Sequence, residues 1–366
     1  MTPKDLLYAI LDITTKEKYP DIHLNTGYKP IVRNHEGDLI KVETLEVNGE
    51  KINAPEFTKE LIKNIIIELG GYIGIEKFIE SKELDISYKY ENNDRYRVNC
   101  YMDSNGYSIA LRIIPNNIPT MEELNLGDGI KEMCNKNKGL ILVTGPTGSG
   151  KSTNLASMID YINKNFKKHI ITIEDPVEFA FKNENCLINQ REVGNHTKGF
   201  AEAIRASLRE DPDVIMVGEM RDPETIKAAI TLAETGHLVF STLHTNDTVQ
   251  SVDRIIDVFP AGQQDQIRMQ LAMSLIGIIS QRLLPRIDSQ GRIPAREILV
   301  ANDAIRNLII TGKTHQLYSV LEVSSKQGMI LMDKYLIFLY KKKIISKDTL
   351  FSYVRDKEGV EMLINE

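Results

Sequence analysis

Leu140-Ile141-Leu142-Val143-Thr144-Gly145-Pro146-Thr147-Gly148-Ser149-Gly150-Lys151-Ser152-Thr153 is the stretch that decides the fold. It opens on a continuous apolar run, which predicts a buried strand over Leu140–Thr144. The next eight residues fit G-x-x-x-x-G-K-[ST] in full. Leu155, Met158, Ile159 and Ile162 then recur at helical spacing. Strand, glycine loop and helix in that order predict a phosphate-binding loop. Its glycines let successive backbone N–H groups curl around an anion. The helix behind it aims its positive N-terminus at the same anion. Lys151 supplies a point charge for the β- and γ-phosphates, and Ser152 a hydroxyl for Mg²⁺. A plain glycine turn between a strand and a helix is the weaker reading of a complete motif in this context.

Outward from the loop, further buried-strand runs occur at Ile170–Ile173, Val214–Val217 and Leu238–Thr242. Strands alternating with helices predict an α/β architecture, a parallel sheet covered on both faces. From about Gln263 onward the pattern reads as mostly helical. Ligands of such sheets sit beyond the carboxyl ends of the strands. Two strand ends carry carboxylates there: Glu174-Asp175-Pro176-Val177-Glu178, and Gly218-Glu219 after Val217. Either group alone reads equally well as a helix cap or a surface ion pair. Their coincidence with the loop favours a site. A third run, His237 to Thr245, has an apolar middle and a histidine near each end, His237 and His244. A histidine there can donate to a γ-phosphate oxygen, although strand-end histidines are more often structural or exposed.

Upstream, Leu6, Leu7, Ile10 and Leu11 predict an amphipathic helix, and Leu61–Leu69 a second. Strand-like runs occur at Ile31–Arg33, Glu83–Tyr90, Tyr96–Met102 and Tyr107–Ile114. These predict a small α+β domain over residues 1–115 with a mostly antiparallel sheet. Pro115-Asn116-Asn117-Ile118-Pro119 discourages both helix and strand and opens an expected linker over 116–127. Residues 128–366 form the expected second domain.

The 366 residues are 42% hydrophobic and 26% charged, with a net charge of −6. The chain has no basic surplus, so no nucleic-acid partner is expected. Lys167-Lys168-His169 and Lys341-Lys342-Lys343 read as solvated faces. Cys100, Cys134 and Cys186 are far apart and form no CxxC pair, so reduced thiols are expected rather than a zinc ribbon or disulfide framework. No apolar stretch reaches membrane-spanning length. A cytoplasmic protein, able to dock on a membrane-embedded partner, is expected.

The loop and the groups around it resemble, in order, the signature boxes of the secretion and pilus ATPases of the type II and type IV pilus superfamily. Gly145–Thr153 matches the Walker A box, Ile173–Glu178 the Asp box, and Asp211–Asp222 the unusual Walker B box ending in Gly-Glu. Ala233–Thr245 matches the His box. Ala304-Ile305-Arg306-Asn307-Leu308-Ile309 resembles a signature of the retraction branch. Arg95–Asn99 and Leu111–Pro115 resemble arginine-bearing segments of its N-terminal domain. Asp21-Ile22-His23-Leu24 departs from the family pattern, because Pro20 stands where a serine is usual. The extension branch carries a four-cysteine zinc motif that this sequence lacks.

The resemblance implies a PAS-like N-terminal domain, followed by a RecA-like P-loop domain with a helical C-terminal part. It implies ATP as substrate with Mg²⁺, held by Gly145, Pro146, Thr147, Gly148, Ser149, Gly150, Lys151, Ser152 and Thr153. Glu178 would be the general base, and Glu219 would join Ser152 in the metal shell. His237 and His244 would couple nucleotide state to conformation. Arg95, Arg97 and Arg112 would reach the phosphates, with a surface ion pair an even alternative for Arg95. Arg205, Arg209 and Arg221 are candidates for subunit contacts. The implied machine is a homohexameric motor on a platform protein at the cytoplasmic membrane, not inserted in it, that retracts type IV pili in twitching motility. An accessory retraction, type II secretion or DNA-uptake ATPase is a variant of that reading. An ATP-switched regulatory protein without sustained turnover is the alternative from another class.

Overall fold

The computed structural model describes residues 2–17, 19–34, 38–47, 49–90, 94–114, 117–288 and 291–365. The chain divides into two compact units. One comprises Met1–Asn117 with Pro176–Ala180, the other Ile118–Asp175 with Phe181–Glu366.

In the first unit α1 (Pro3–Glu17) buries Leu6, Leu7, Ile10 and Leu11, the predicted stripe. Strands β1 (Asp21–Asn25), β2 (Ile31–Arg33) and β3 (Leu39–Lys41) follow, then a separate hairpin of β4 (Thr44–Val47) and β5 (Glu50–Asn53). Next come α2 (Lys59–Ser81), β6 (Glu83–Lys89), β7 (Arg95–Asp103) and β8 (Gly106–Ile114). The main sheet runs β3-β2-β1-β8-β7-β6, every pairing antiparallel. The helix expected over Leu61–Leu69 is the first part of α2, which breaks at Gly71, whose φ of 68° a glycine adopts without strain.

The second unit is an α/β sheet of seven strands. In chain order these elements are α3 (Asp128–Cys134), β9 (Gly139–Thr144), α4 (Lys151–Asn165), β10 (His169–Glu174), β11 (Leu187–Glu192), α5 (Phe200–Ser207), β12 (Val214–Val217), α6 (Pro223–Glu234), β13 (Leu238–Leu243), α7 (Thr248–Asp257), α8 (Ala261–Ser274), β14 (Leu275–Pro285), β15 (Arg292–Val300) and α9 (Asp303–Ile310). Short helices between Leu317 and Asn365 complete it. The strand order is β11-β10-β12-β13-β9-β14-β15, parallel throughout except for β15. Core residues lie on both faces of the sheet: Leu140, Leu142, Ile171 and Val239 pack on one side, Ile141, Val143, Ile170 and Phe240 on the other. Each of these apolar side chains contributes about 1.5–3 kcal/mol by burial.

Two expectations change. The region after Gln263 is not simply helical, because Leu275–Pro285 and Arg292–Val300 form a long antiparallel hairpin on the β9 side of the sheet. An apolar run without clear period does not separate a strand from a buried helix segment. Pro294 is tolerated because β15 is an edge strand. The expected linker over 116–127 also reads differently. Pro115 and Asn116 lie outside the described residues. Met121–Asn125 forms a turn in which Leu126 N–H donates to the Met121 carbonyl at 2.8 Å. Met121 and Leu126 are buried in the core of the second unit.

Candidate functional site

The phosphate loop sits between the carboxyl end of β9 and the start of α4, as the local pattern predicts. Gly145, Gly148 and Gly150 adopt φ of 144°, 74° and 86°, conformations in which a side chain is strained. Lys151 is buried, and its ammonium donates to the carbonyls of Gly145 at 3.0 Å and Pro146 at 3.1 Å. Ser152 and Thr153 occupy the first turn of α4, both half-buried.

Two motifs distant in sequence meet beside this loop. Thr147 Oγ1 lies 3.5 Å from His244 Nδ1, and His244 Nε2 lies 3.2 Å from Glu219 Oε2. The other Glu219 oxygen is ion-paired with Arg221. Parallel strands explain the convergence. β9, β12 and β13 all point the same way, so Gly145, Glu219 and His244 leave the sheet at one edge. Gly218 fits closely there, because a Cβ would come 3.3 Å from the Ile173 carbonyl oxygen on neighbouring β10. The Gly218 carbonyl accepts from Thr242 Oγ1 at 2.6 Å, which ties the Walker B end to the His box strand.

His244 titrates below an ordinary histidine, held down first by burial and then by the Lys151 and Arg221 charges. Glu219 pulls the other way, but Arg221 already neutralises it, so the cations prevail. The imidazole is therefore neutral at pH 7. Below pH ~6.5 an unfolded histidine takes its proton first, so this group's stabilising contribution is complete above that pH and is lost as pH falls toward the folded value. Arg221→Ala should raise the His244 pKa by removing one cation and freeing Glu219. NMR titration of the imidazole protons reads this directly, and an unchanged or lowered value would refute the electrostatic account.

Other expected residues do not join this cluster. His237 stands at the opposite end of β13, a strand length of about 20 Å from His244. Its Nδ1 lies 3.1 Å from the Leu232 carbonyl, and its own carbonyl accepts from Gly139 N–H. The expected pair of histidines at the phosphates thus narrows to His244, with His237 closing the turn after α6. Arg205 pairs with Glu202 and Glu224, two surface carboxylates.

Arg95, Arg97 and Arg112 belong to the first unit, on β7 and β8. Arg97 and Arg112 stand directly opposite each other, both exposed. Like charges in that position repel. Asp21, on the other side of Arg112 in β1, relieves them: its carboxylate accepts from Arg112 Nε at 2.6 Å and lies 3.8 Å from Arg33. Glu178 falls in Pro176–Ala180, the segment that packs with this same unit. Arg112 is held above its usual pKa first by the Asp21 bond, with the Glu178 charge acting in the same direction.

Sequence reading missed two buried residues at the loop, Gln281 on β14 and Arg296 on β15. Gln281 Nε2 donates to the Ser149 carbonyl at 2.6 Å. Its Oε1 accepts from Asn154 Nδ2 at 2.8 Å and from Arg296 Nε at 2.6 Å. For Gln281 the signal was present as a polar triplet, Ser280-Gln281-Arg282, interrupting the apolar run from Leu275 to Leu284.

Residues 81–334 match the family described as type II/IV secretion system protein. The chain is 43% identical over 339 residues to a type IV pilus retraction ATPase, PilT, of Pseudomonas aeruginosa, covering 93% of this chain and 95% of that one. It is 44% identical over 318 residues to a twitching motility protein of Neisseria gonorrhoeae, covering 86% and 85%. A crystal structure of the pilus retraction motor PilT with bound ADP superposes with a TM-score of 0.86, at 42% identity, covering 97% of this chain and 99% of that one.

Proposed function

Because the chain belongs to the type II/IV secretion system protein family, we propose that it is an ATPase that powers retraction of type IV pili. The observation that carries this reading is the 43% identity to PilT over 93% of the chain, together with the complete loop from Gly145 to Ser152 in this sequence. Hydrolysis would use Lys151 and the loop amides to hold the phosphates. Glu178 would act as general base, with Arg95, Arg97 and Arg112 set against developing phosphate charge.

Mg²⁺ fits the donors available. Ser152 and Glu219 offer oxygen, and among the described residues no cluster of three or more His, Cys, Asp or Glu could hold a metal alone. That chemistry suits an ion bound mainly by nucleotide phosphates and water, with one or two protein oxygens. When bound, it would neutralise charge on the β- and γ-phosphates. His244, neutral and in contact with Thr147, Glu219 and through Glu219 with Arg221, would relay the state of the loop to the Walker B strand.

The working assembly would be a ring of six copies at a platform protein on the cytoplasmic face of the membrane. Among the described residues no helix is long and apolar enough to cross a membrane. The purified chain should therefore show a hexameric mass in the presence of ATP, together with steady phosphate release. Deleting its gene should leave cells with pili that extend and do not retract. Cells without pili would transfer the assignment to extension, and ATP binding without steady turnover would transfer it to a regulatory switch.

A further inference from the structure

The underside of the phosphate loop is built as carefully as the surface that meets the nucleotide. A Cβ at Gly145 would come 2.2 Å from the Gln281 carbonyl oxygen, and a Cβ at Gly150 2.9 Å from Gln281 Nε2. Two glycines of the loop thus leave the space that Gln281 fills. Arg296 then fixes which way the amide points. A guanidinium carries only donors, so Gln281 must turn Oε1 toward Arg296 Nε and Nε2 toward the Ser149 carbonyl. Asn154, in the second turn of α4, donates to the same Oε1. The remaining Arg296 nitrogens donate to the Asn125 carbonyl at 3.2 Å and the Leu124 carbonyl at 2.7 Å. Asn125 is one of four non-glycine residues with positive φ among the described residues, at 52°. The guanidinium therefore anchors a conformationally special turn at the end of the expected linker. Gln281, Arg296 and Asn154 are all at least 97% buried.

We propose that Gln281 and Arg296 are positioning residues for ATP: they hold the phosphate loop in its nucleotide-ready curve and couple that curve to the turn at Leu124–Asn125. This rests on the ATPase reading above. Neither residue touches nucleotide. Gln281 acts through the Ser149 carbonyl, and Arg296 acts through Gln281. A hydrogen bond from a buried cation is the stronger kind, which keeps the amide from turning over. Burial pushes the Arg296 pKa below its usual value, yet a guanidinium stays charged inside a protein.

Gln281→Glu separates positioning from folding. The introduced carboxylate keeps the acceptor for Asn154 and Arg296 and adds a charge partner for the buried guanidinium. It loses the donor to Ser149 and sets two acceptors face to face beneath the loop. The expected result is a rise of about tenfold in the ATP dissociation constant and in KM, with kcat changed less than KM and the melting temperature retained. Arg296→Lys is the second variant. One ammonium cannot span Gln281 and both carbonyls, so ATP affinity should again fall several-fold in a folded chain. Binding is measured with fluorescent ATP in Mg²⁺ buffer, alongside phosphate release and thermal melting. Parent-like affinity in folded Gln281→Glu overturns the proposal. Should that variant not fold, parent-like affinity in Arg296→Lys does so instead. If the parent chain binds no ATP, it is the ATPase reading that fails.

Discussion

Lys151→Ala is expected to lower ATP turnover by roughly 10²–10³-fold, the scale on which losing one preorganised charge-stabilising donor slows an enzyme. The side chain is buried, and its ammonium is already directed by the Gly145 and Pro146 carbonyls. It spends no conformational freedom when phosphate arrives. Alanine removes that charge and one donor from each of the Gly145 and Pro146 carbonyls, of which Pro146 still accepts from Ser149 N–H. Both kcat and ATP affinity should suffer, because the contact holds the bound phosphates and strengthens as charge develops in the transition state. Steady-state phosphate release at saturating ATP is the measurement. Activity above a tenth of the parent would mean that the loop is not the site of hydrolysis. Folding is controlled by the melting temperature, since the loss is confined to one loop while the sheet core of Leu140–Val143 is untouched.

Glu178→Gln is expected to act differently. It keeps the shape and removes the base, so kcat should fall about 10²–10⁴-fold with KM nearly unchanged. Glu174 and Glu219 are carboxylates of the second unit that also stand at or just past the ends of parallel strands. Glu174 is buried and already accepts from Thr172 and Gln190 at Oε1. Glu219 is shared between Arg221 and His244. Full turnover in Glu178→Gln would reject the assignment and direct the same test to Glu219.

What was legible in the sequence is what is written locally. Gly145–Ser152 declares itself because the strand before it, the glycines within it and the helix after it are contiguous. Glu219 and His244 could be placed because parallel strands send their carboxyl ends to one edge, so a residue just after each apolar run lands near the loop. His237 illustrates the limit of that logic. It borders the same run, but at the amino end, and the direction of the strand decides against it. Gln281 and Arg296 interrupt apolar runs, but their place at the loop was illegible for another reason. They reach the loop through a hairpin whose pairing spans more than a hundred residues of chain from β9, and the apolar run of Leu275–Leu284 carries no clear period. The packing of Glu178 is illegible in the same way, because nothing in Glu174–Glu178 says that the chain changes partners after Asp175.

That change of partners has a consequence for how such chains can be inherited. The chain passes from one compact unit to the other after Asn117, again after Asp175, and back after Ala180. A gene exchanged with a relative by a single crossover near Asn117 would not swap one module for another. It would join Arg112 from one parent to Glu178 from the other, inside a single unit. Recombination that respects the fold must therefore carry the five codons of Pro176–Ala180 along with the first 117, and a fragment ending at Asn117 would lack residues its own unit is built around.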